Sequence, residues 1–157
     1  MEKEQLVEQA DWLFRKAARK FVKERDKVTI EGLTLPAFQI LTMIVEQGNQ
    51  RLVDLAEALD FTSGAITAHC DKLEKKQFVM RVRDTADRRT IRLSITDQGR
   101  AFLQKYEGTS SVSREVLFRG FTEAELAQHI TFYERLIENL HEFSPTLLAF
   151  AEDKKEQ

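Results

Sequence analysis

The 157-residue sequence has little of several features that define other protein classes. Its one cysteine, Cys70, cannot close an intrachain disulfide or hold a structural zinc ion by itself, so a reducing, cytoplasmic setting is expected. No apolar run approaches the roughly 18 residues that a membrane span needs, and the first residues lack the pattern of a secretory signal, so no membrane partner is expected. Two prolines and six glycines favour long helices over a turn-rich β-sandwich.

Charge is distributed unevenly along the chain. Hydrophobic residues make up 42% and charged residues 32%, which fits one folded domain with a strongly ionic surface. The net charge is only −2. Residues 62–96, however, hold eight Lys or Arg against four Asp or Glu, a balance of +4, whereas residues 120–157 hold three against eight, a balance of −5. The basic segment is either a solvated charged surface or a surface that binds a polyanion, and charge alone does not decide between them.

Hydrophobic spacing predicts a mainly helical chain. Apolar residues recur at the helical interval, and capping residues mark several helix starts, among them Thr34, Thr96 and the capping box from Thr122 to Glu125. Ser144-Pro145 is expected to end the last long helix before a short apolar tail. The predicted helices cover about residues 4–27, 35–47, 51–59, 64–76, 97–119 and 123–143.

Between residues 78 and 95 the period changes from helical spacing to alternation. Val79, Arg81 and Arg83 alternate with Met80 and Val82, and the segment from Ile91 to Ile95 alternates in the same way. This pattern predicts a two-stranded hairpin with a charged tip. An isolated hairpin is only marginally stable, so one of its faces must pack on the helices.

The short helix, tight turn and following helix at residues 51–76 match the helix-turn-helix plan, in which the second helix enters the DNA major groove. Such a helix needs small or hydroxyl-bearing residues at its start, so that it can approach base edges and phosphates closely. The alternative is that these hydroxyls only cap the helix or lie on its surface. The candidate DNA-contacting residues here are Thr62, Ser63, Gly64, Ala65, Thr67, Ala68 and Lys72.

The hairpin directly after this helix places arginines at an exposed tip, where their size and charge suit a minor groove. Arg89 is the expected inserted residue, with Asp87 orienting its guanidinium group, and Arg81 is interpreted as a phosphate clamp rather than a plain strand charge. The candidate wing and backbone contacts are Arg51, Arg81, Arg83, Asp87, Arg88 and Arg89. The predicted fold class is therefore mainly α with a small β-hairpin wing (α+β), a winged helix-turn-helix.

Several segments resemble the MarR (multiple-antibiotic-resistance regulator) family of transcriptional regulators over roughly residues 6–143. The matching segments are Leu33–Pro36, Leu52–Ala56, Ser63–Thr67, Asp71–Glu74, Val79–Arg81, Asp87–Arg89 and Leu93–Thr96, followed by Gly99. The resemblance implies a homodimer that binds a pseudo-palindromic double-stranded DNA operator, as a repressor released by a small ligand. It also implies one domain at 4–145, with a DNA-binding lobe at about 34–96, interlocking dimerisation helices at about 4–27 and 97–143, and a tail at 146–157.

Two positions depart from the family pattern. Gln77 stands where relatives often carry glycine, so it must adopt a left-handed backbone or the helix must end differently. Ala68 stands where relatives frequently carry arginine, which affects the operator sequence rather than the DNA-binding role.

The resemblance also implies a site for a small aromatic or lipophilic effector, which in relatives lies between the dimer helices and the winged helix. The corresponding apolar residues here are Trp12, Phe14, Phe21, Phe38 and Met43, although plain core packing is the favoured interpretation for each of them.

No nucleophile–base pair, phosphate-binding glycine loop or paired-carboxylate motif is present, so neither an enzyme nor a cofactor is expected. His129 and His141 lie twelve residues apart, outside the spacing of a helical metal site. Cys70 falls on an apolar stripe and is expected to be a buried hydrophobe. A redox-sensing regulator is the less favoured alternative, because redox-sensing relatives carry their cysteine in the N-terminal helix. The other alternative, a helical interaction module that does not read DNA, is opposed by Arg88 and Arg89.

Overall fold

The computed structural model describes residues 2–155. These residues form two compact units, of which the first ends at Glu107 and the second begins at Gly108. The elements of the first unit are α1 (Lys3–Arg25), β1 (Thr29–Ile30), β2 (Leu33–Thr34), α2 (Leu35–Gln47), α3 (Leu52–Ala58), α4 (Ser63–Lys75), β3 (Val79–Arg83), β4 (Ile91–Ile95) and α5 (Asp97–Lys105). The helices predicted at residues 4–27, 51–59 and 64–76 are confirmed to within two residues at each end.

The core of the first unit is built from the apolar stripes of α2, α3 and α4 and from one face of the β3–β4 hairpin. Leu41, Leu55, Leu73 and Leu93, one from each of these elements, are completely buried. Burying one such side chain contributes about 1.5–3 kcal/mol, so these contacts hold the three helices and the hairpin together.

Aromatic rings attach α5 to this core. The ring of Phe102 lies 5.0 Å from that of Phe38 in α2 and 4.6 Å from that of Phe78, which precedes β3. Tyr106 closes the cluster, 5.1 Å from Phe102. Offset and tilted pairs of this kind add to the stability that area burial alone supplies.

The β3–β4 hairpin, called the wing below, is antiparallel, as its alternating sequence predicts. Val79, Leu93 and Ile95 share its buried face, whereas Met80 is half exposed on the other face. A two-way bridge between Gln50 and Leu93, with N···O distances of 3.1 and 2.7 Å, attaches β4 to the loop after α2. The base of the wing is therefore part of the helical core.

The segment expected to be a plain connector at residues 28–32 contains a second, very short hairpin. β1 and β2 pair around Glu31 and Gly32, both of which have positive φ. Thr34 occupies the N-cap position of α2 as expected, but its side chain makes no capping bond. Its Oγ1 is buried without a hydrogen-bond partner among the described residues.

The single helix expected at residues 97–119 is wrong. α5 ends at Lys105, and Gly108, with φ of 90°, gives the backbone a left-handed turn before the next helix begins at Thr109. Glycine adopts this conformation without a steric penalty.

The second unit consists of α6 (Thr109–Leu117), α7 (Glu123–His141) and α8 (Phe143–Lys155). The predicted capping box of α7 is confirmed, because the Thr122 N–H donates to Glu125 Oε2 over 2.8 Å and the Glu125 N–H donates to Thr122 Oγ1 over 3.3 Å.

The helix predicted at residues 123–143 is confirmed to within two residues, because α7 ends at His141. Ser144-Pro145 does not cause this end, however, since Pro145 lies in the first turn of α8. Proline is tolerated there because its missing N–H has no helical acceptor. The predicted tail from residue 146 is helical as far as Lys155, and its last two residues lie outside the described part.

Apolar side chains are exposed along α1 and along the second unit. α1, α6, α7 and α8 contain no buried residue. The predicted stripe of α7 is among the exposed positions, including Ile130, Tyr133, Ile137 and Leu140. Within residues 2–155, no helix combines the length and hydropathy that a bilayer crossing requires.

Gly99, in the first turn of α5, is expected to tolerate no side chain. A Cβ built there lies 2.2 Å from the Phe78 carbonyl oxygen and 2.9 Å from Ile95 Cγ1. Gly99→Ala should therefore push α5 away from the wing base and lower the free energy of unfolding by about 1–3 kcal/mol, as overpacking does.

Gly64 in the first turn of α4 provides the matched control, because a Cβ there meets nothing within 4 Å. Gly64→Ala should leave stability unchanged or raise it. Urea unfolding of the two variants beside the wild type measures both effects, and equal stability of Gly99→Ala and wild type would contradict the close approach.

Candidate nucleic-acid interface

The turn between α3 and α4 is fixed by local backbone chemistry. Asp60 has a φ of 53°, and the Phe61 N–H donates to the Ala56 carbonyl over 2.9 Å. Thr62 then caps α4, its hydroxyl oxygen accepting a bond from the Ala65 N–H over 3.2 Å. With Leu55 and Ile66 buried between the two helices, the first turn of α4 is held in one orientation.

α4 buries one stripe and exposes the opposite face. The buried residues are Ile66, Cys70 and Leu73, spaced at the helical interval. Ala65 is half-buried at the margin between the two faces. The exposed residues are Ser63, Gly64, Thr67, Ala68, Asp71, Lys72 and Lys75, which we call the α4 outer face. Six of the seven residues predicted for this region, counting the Thr62 cap, are thus exposed together.

One hydroxyl group of the α4 outer face forms a hydrogen bond within the helix. The Thr67 hydroxyl donates its hydrogen to the Ser63 carbonyl over 2.7 Å, so towards an outside group it presents lone pairs. The open space at Gly64 allows another molecule to approach the backbone closely. Asp71 is an acidic member of this face that the site prediction did not include.

Two aspartates shape the wing tip. Asp84 Oδ1 accepts the N–H groups of Ala86 and Asp87 over 2.7 and 3.1 Å, while Oδ2 pairs with Arg92. Together these interactions lower the pKa of Asp84 to about 2, and the hydrogen bond from Arg92 contributes most. Asp84 is therefore ionised throughout the neutral range and keeps the turn closed.

Asp87 was expected to orient the guanidinium group of Arg89, and this detail is wrong. Its carboxylate accepts the backbone N–H of Arg89 over 3.0 Å and the Thr90 hydroxyl over 2.9 Å. Asp87 thus positions Arg89 through the main chain. The roles of Asp84 and Arg92 were missed, because a turn-forming aspartate and a strand arginine eight residues away carry no signal of their pairing.

The arginines of this region fall into two groups. Arg51 pairs with Asp54, Arg81 pairs with Asp71, and Arg83 donates to the Arg88 carbonyl over 3.0 Å. Arg88 and Arg89 are exposed at the tip, and no carboxylate of residues 2–155 forms an ion pair with either of them. The end of the wing therefore carries two positive charges that no carboxylate among the described residues pairs with.

Gln77 has a φ of 60°, so of the two alternatives at this departure from the family pattern the left-handed backbone is the one observed. The Phe78 N–H reaches back to the Leu73 carbonyl over 3.0 Å, which ends α4 and starts β3. A residue with a side chain thus adopts here the conformation that glycine usually supplies after a helix.

Cys70 lies completely inside the core on the buried stripe of α4. Burial raises the pKa of its thiol to about 11. Cysteine reacts as the thiolate, so the structure agrees with a packing role. Among the described residues, no group of three or more metal-binding side chains is arranged to hold an ion.

The five apolar residues considered for an effector do not share one surface. Phe38 packs in the core and Met43 against it. Phe14 and Phe21 lie seven residues apart on one face of α1, whereas Trp12 lies nine residues from Phe21, on the opposite face, with Lys16 Nζ 4.5 Å above its ring.

The arrangement as a whole defines a winged helix-turn-helix of the kind found in transcriptional regulators. The MarR family model matches residues 33–91. The helix-turn-helix-type transcriptional regulator YpoP of Bacillus subtilis is 30% identical over 84% of this chain and 94% of its own length. The helix-turn-helix-type transcriptional repressor MdtR of the same organism is 31% identical over 76% of both chains.

Among solved structures, BpsR of Bordetella bronchiseptica, studied for the regulation of its DNA binding by 6-hydroxynicotinic acid, superposes with a TM-score of 0.69. It is 22% identical and covers 82% of this chain and 98% of its own. The chain belongs to the MarR family of transcriptional regulators, a family without enzymatic activity.

Cys70 is expected to resist thiol reagents and peroxide while the protein is folded. With a pKa of about 11, only a very small fraction is thiolate at pH 7, and burial blocks access. Cys70→Ser should lower the free energy of unfolding by about 1–3 kcal/mol, because a hydroxyl would be buried without a partner.

Labelling with a chromogenic disulfide reagent, with and without denaturant, checks the first point, and urea unfolding checks the second. Rapid labelling of the folded wild type, or loss of DNA binding on peroxide treatment that Cys70→Ser prevents, would instead establish a redox sensor.

Proposed function

We propose that the protein is a homodimeric repressor that reads a pseudo-palindromic operator with α4 in the major groove and the wing tip in the adjacent minor groove. The observation that carries this proposal is the combination of the α4 outer face, rich in small and hydroxyl-bearing residues, with two arginines at the wing tip that lack carboxylate partners among residues 2–155. Bases are read by close contacts in the major groove, and arginine is attracted by the negative potential of a narrow minor groove.

The paired arginines are assigned to positions nearer the DNA backbone. Arg51 occupies the N-cap position of α3 and Arg83 lies next to the tip, and in these places a guanidinium group can exchange part of its local pairing for a phosphate. Thr62, Ala65 and Lys72 border the groove-facing residues of α4. An interaction module that does not read DNA would have no use for the unneutralised charge at Arg88 and Arg89.

Dimerisation is supported by the apolar side chains that α1 and α7 expose. Leu6, Val7, Leu13 and Phe21 in α1, and the stripe of α7, need a partner surface if they are to leave water. A two-fold axis would let these helices cover one another and would place two winged lobes on successive major grooves.

Repression and release by a ligand are proposed from the relatives. MdtR is a repressor, and BpsR is studied for regulation of its DNA binding by 6-hydroxynicotinic acid. For a small aromatic or lipophilic effector, Phe14 and Phe21 are the remaining candidates, because they lie on one face of α1 whereas Phe38 and Met43 take part in core packing. We also propose a cytoplasmic location, where operator DNA is accessible and Cys70 stays reduced.

Selection of bound fragments from random duplex DNA, combined with sedimentation velocity of the free protein, tests the function directly. The enriched sequence should be a pseudo-palindrome with half-site centres about 10 base pairs apart, because successive major grooves on one side of the duplex are one helical turn apart. A monomer at micromolar concentration, or the absence of any enriched sequence, would contradict the proposal.

Arg89→Ala should weaken operator binding without unfolding the protein, since the tip is exposed. The salt dependence of binding should become shallower by about one unit per wing, or two per dimer, because one phosphate-neutralising cation is lost from each wing. Fluorescence anisotropy over a salt series measures both effects. The matched control is Arg100→Ala, an exposed arginine of α5, which should keep the wild-type slope. Unchanged affinity and slope in Arg89→Ala would remove the wing from the interface.

A further inference from the structure

Arg81 links the wing to α4. Its Nη2 lies 2.6 Å from Asp71 Oδ1 and its Nε lies 3.6 Å from Glu74 Oε2. The two carboxylates are one helical turn apart on α4, and Arg81 reaches them from β3. The interaction thus connects the two elements proposed to enter the two grooves.

The position of Arg81 in the hairpin gives this link mechanical importance. Arg81 stands opposite Leu93, which is completely buried. Beyond this pair, towards the tip, Ile91 is half exposed and Arg83 is exposed, so apolar packing no longer holds the hairpin against the helices. The ion pair is formed where the packed base of the wing gives way to its projecting half.

Asp71 is an unusual residue for a DNA-facing surface. Ser63, Thr67 and Asp71 are spaced by four residues and therefore lie along one side of α4. A free carboxylate there would repel phosphates, and pairing with Arg81 compensates its charge. A guanidinium group occupied in this way is poorly placed to clamp a phosphate as well.

We propose that Arg81 is a positioning residue, which holds the wing at a fixed spacing from α4 through Asp71 and Glu74, and that it does not act as a phosphate clamp. This inference rests on the proposed DNA-reading function and replaces the role that the sequence suggested for Arg81. A fixed spacing between α4 and the wing matters only for binding to the operator, because only in that complex must both elements fit their grooves at the same time.

Anisotropy titrations of Arg81→Ala and Asp71→Asn, on the selected operator and on a random duplex of equal length, test the proposal. Both variants should bind the operator about tenfold more weakly, within the range of coupling between contacting residues, and should keep near-wild-type affinity for the random duplex. For Asp71→Asn this split is decisive, because removal of a repulsive charge alone would strengthen binding to both duplexes.

Two further variants sharpen the result. The double variant Arg81→Ala/Asp71→Asn should bind no more weakly than either single variant, and Arg81→Lys should recover part of the operator affinity. The matched control is Arg83→Ala, which removes the same charge from the same strand but lacks a carboxylate partner on α4. It should change binding to both duplexes in the same proportion.

A phosphate clamp predicts a different pattern. Arg81→Ala would then make the salt dependence shallower by about one unit per protomer and would weaken binding to both duplexes alike. That result, additive effects in the double variant, or stronger operator binding by Asp71→Asn would overturn the inference while leaving the DNA-binding function intact. Failure of the wild-type protein to bind any selected duplex would overturn the proposed function itself. Thermal unfolding of each variant confirms that the fold is retained.

Discussion

The burial of one stripe of α4 against α2, α3 and the wing base is the constraint on which the rest of the structure depends. Ile66, Cys70 and Leu73 take up the apolar half of the helix, which leaves the other half for recognition. Because the same core includes Leu93 of β4, the wing cannot move at its base without disturbing α4. Packing and recognition are thus two faces of one helix, and this also explains why the lone cysteine serves packing rather than chemistry.

Electrostatic pairing divides the basic segment into two functional classes. Arg81 is paired with Asp71 in the middle of the wing and Arg92 with Asp84 at the start of the tip turn, and these two ion pairs fix the conformation. Arg92 also donates to the Asn49 carbonyl over 3.3 Å, which adds a second attachment to the loop after α2. At the tip, where pairing with carboxylates ends, the charge is available to a polyanion. The balance of +4 over residues 62–96 already counts these aspartates, so pairing does not change it. Pairing instead decides which arginines are free of a carboxylate partner among residues 2–155, and Arg88 and Arg89 at the tip are two of them.

Much of the architecture follows from the spacing of apolar residues, which can be read directly from the sequence. The element order and the exposed face of α4 could be predicted from the apolar stripes of α1, α3 and α4 and from the alternation of the hairpin. Partners distant in sequence were less accessible. Nothing in the spacing of Asp84 and Arg92, or of Asp71 and Arg81, shows that each pair meets, because such pairs depend on how the hairpin packs. The break at Gly108 was missed for a local reason, since one glycine in a helical pattern is often tolerated.

Hydroxyl-radical footprinting on the selected operator shows whether α4 and the wing tip read adjacent grooves of one duplex in each half of a dimer. The expected footprint is two-fold symmetric, with protection of the minor groove beside each half-site. That flanking protection should be lost in Arg89→Ala, while the major-groove contacts, followed by guanine methylation, should persist. An asymmetric footprint, or flanking protection that survives in Arg89→Ala, would contradict the account.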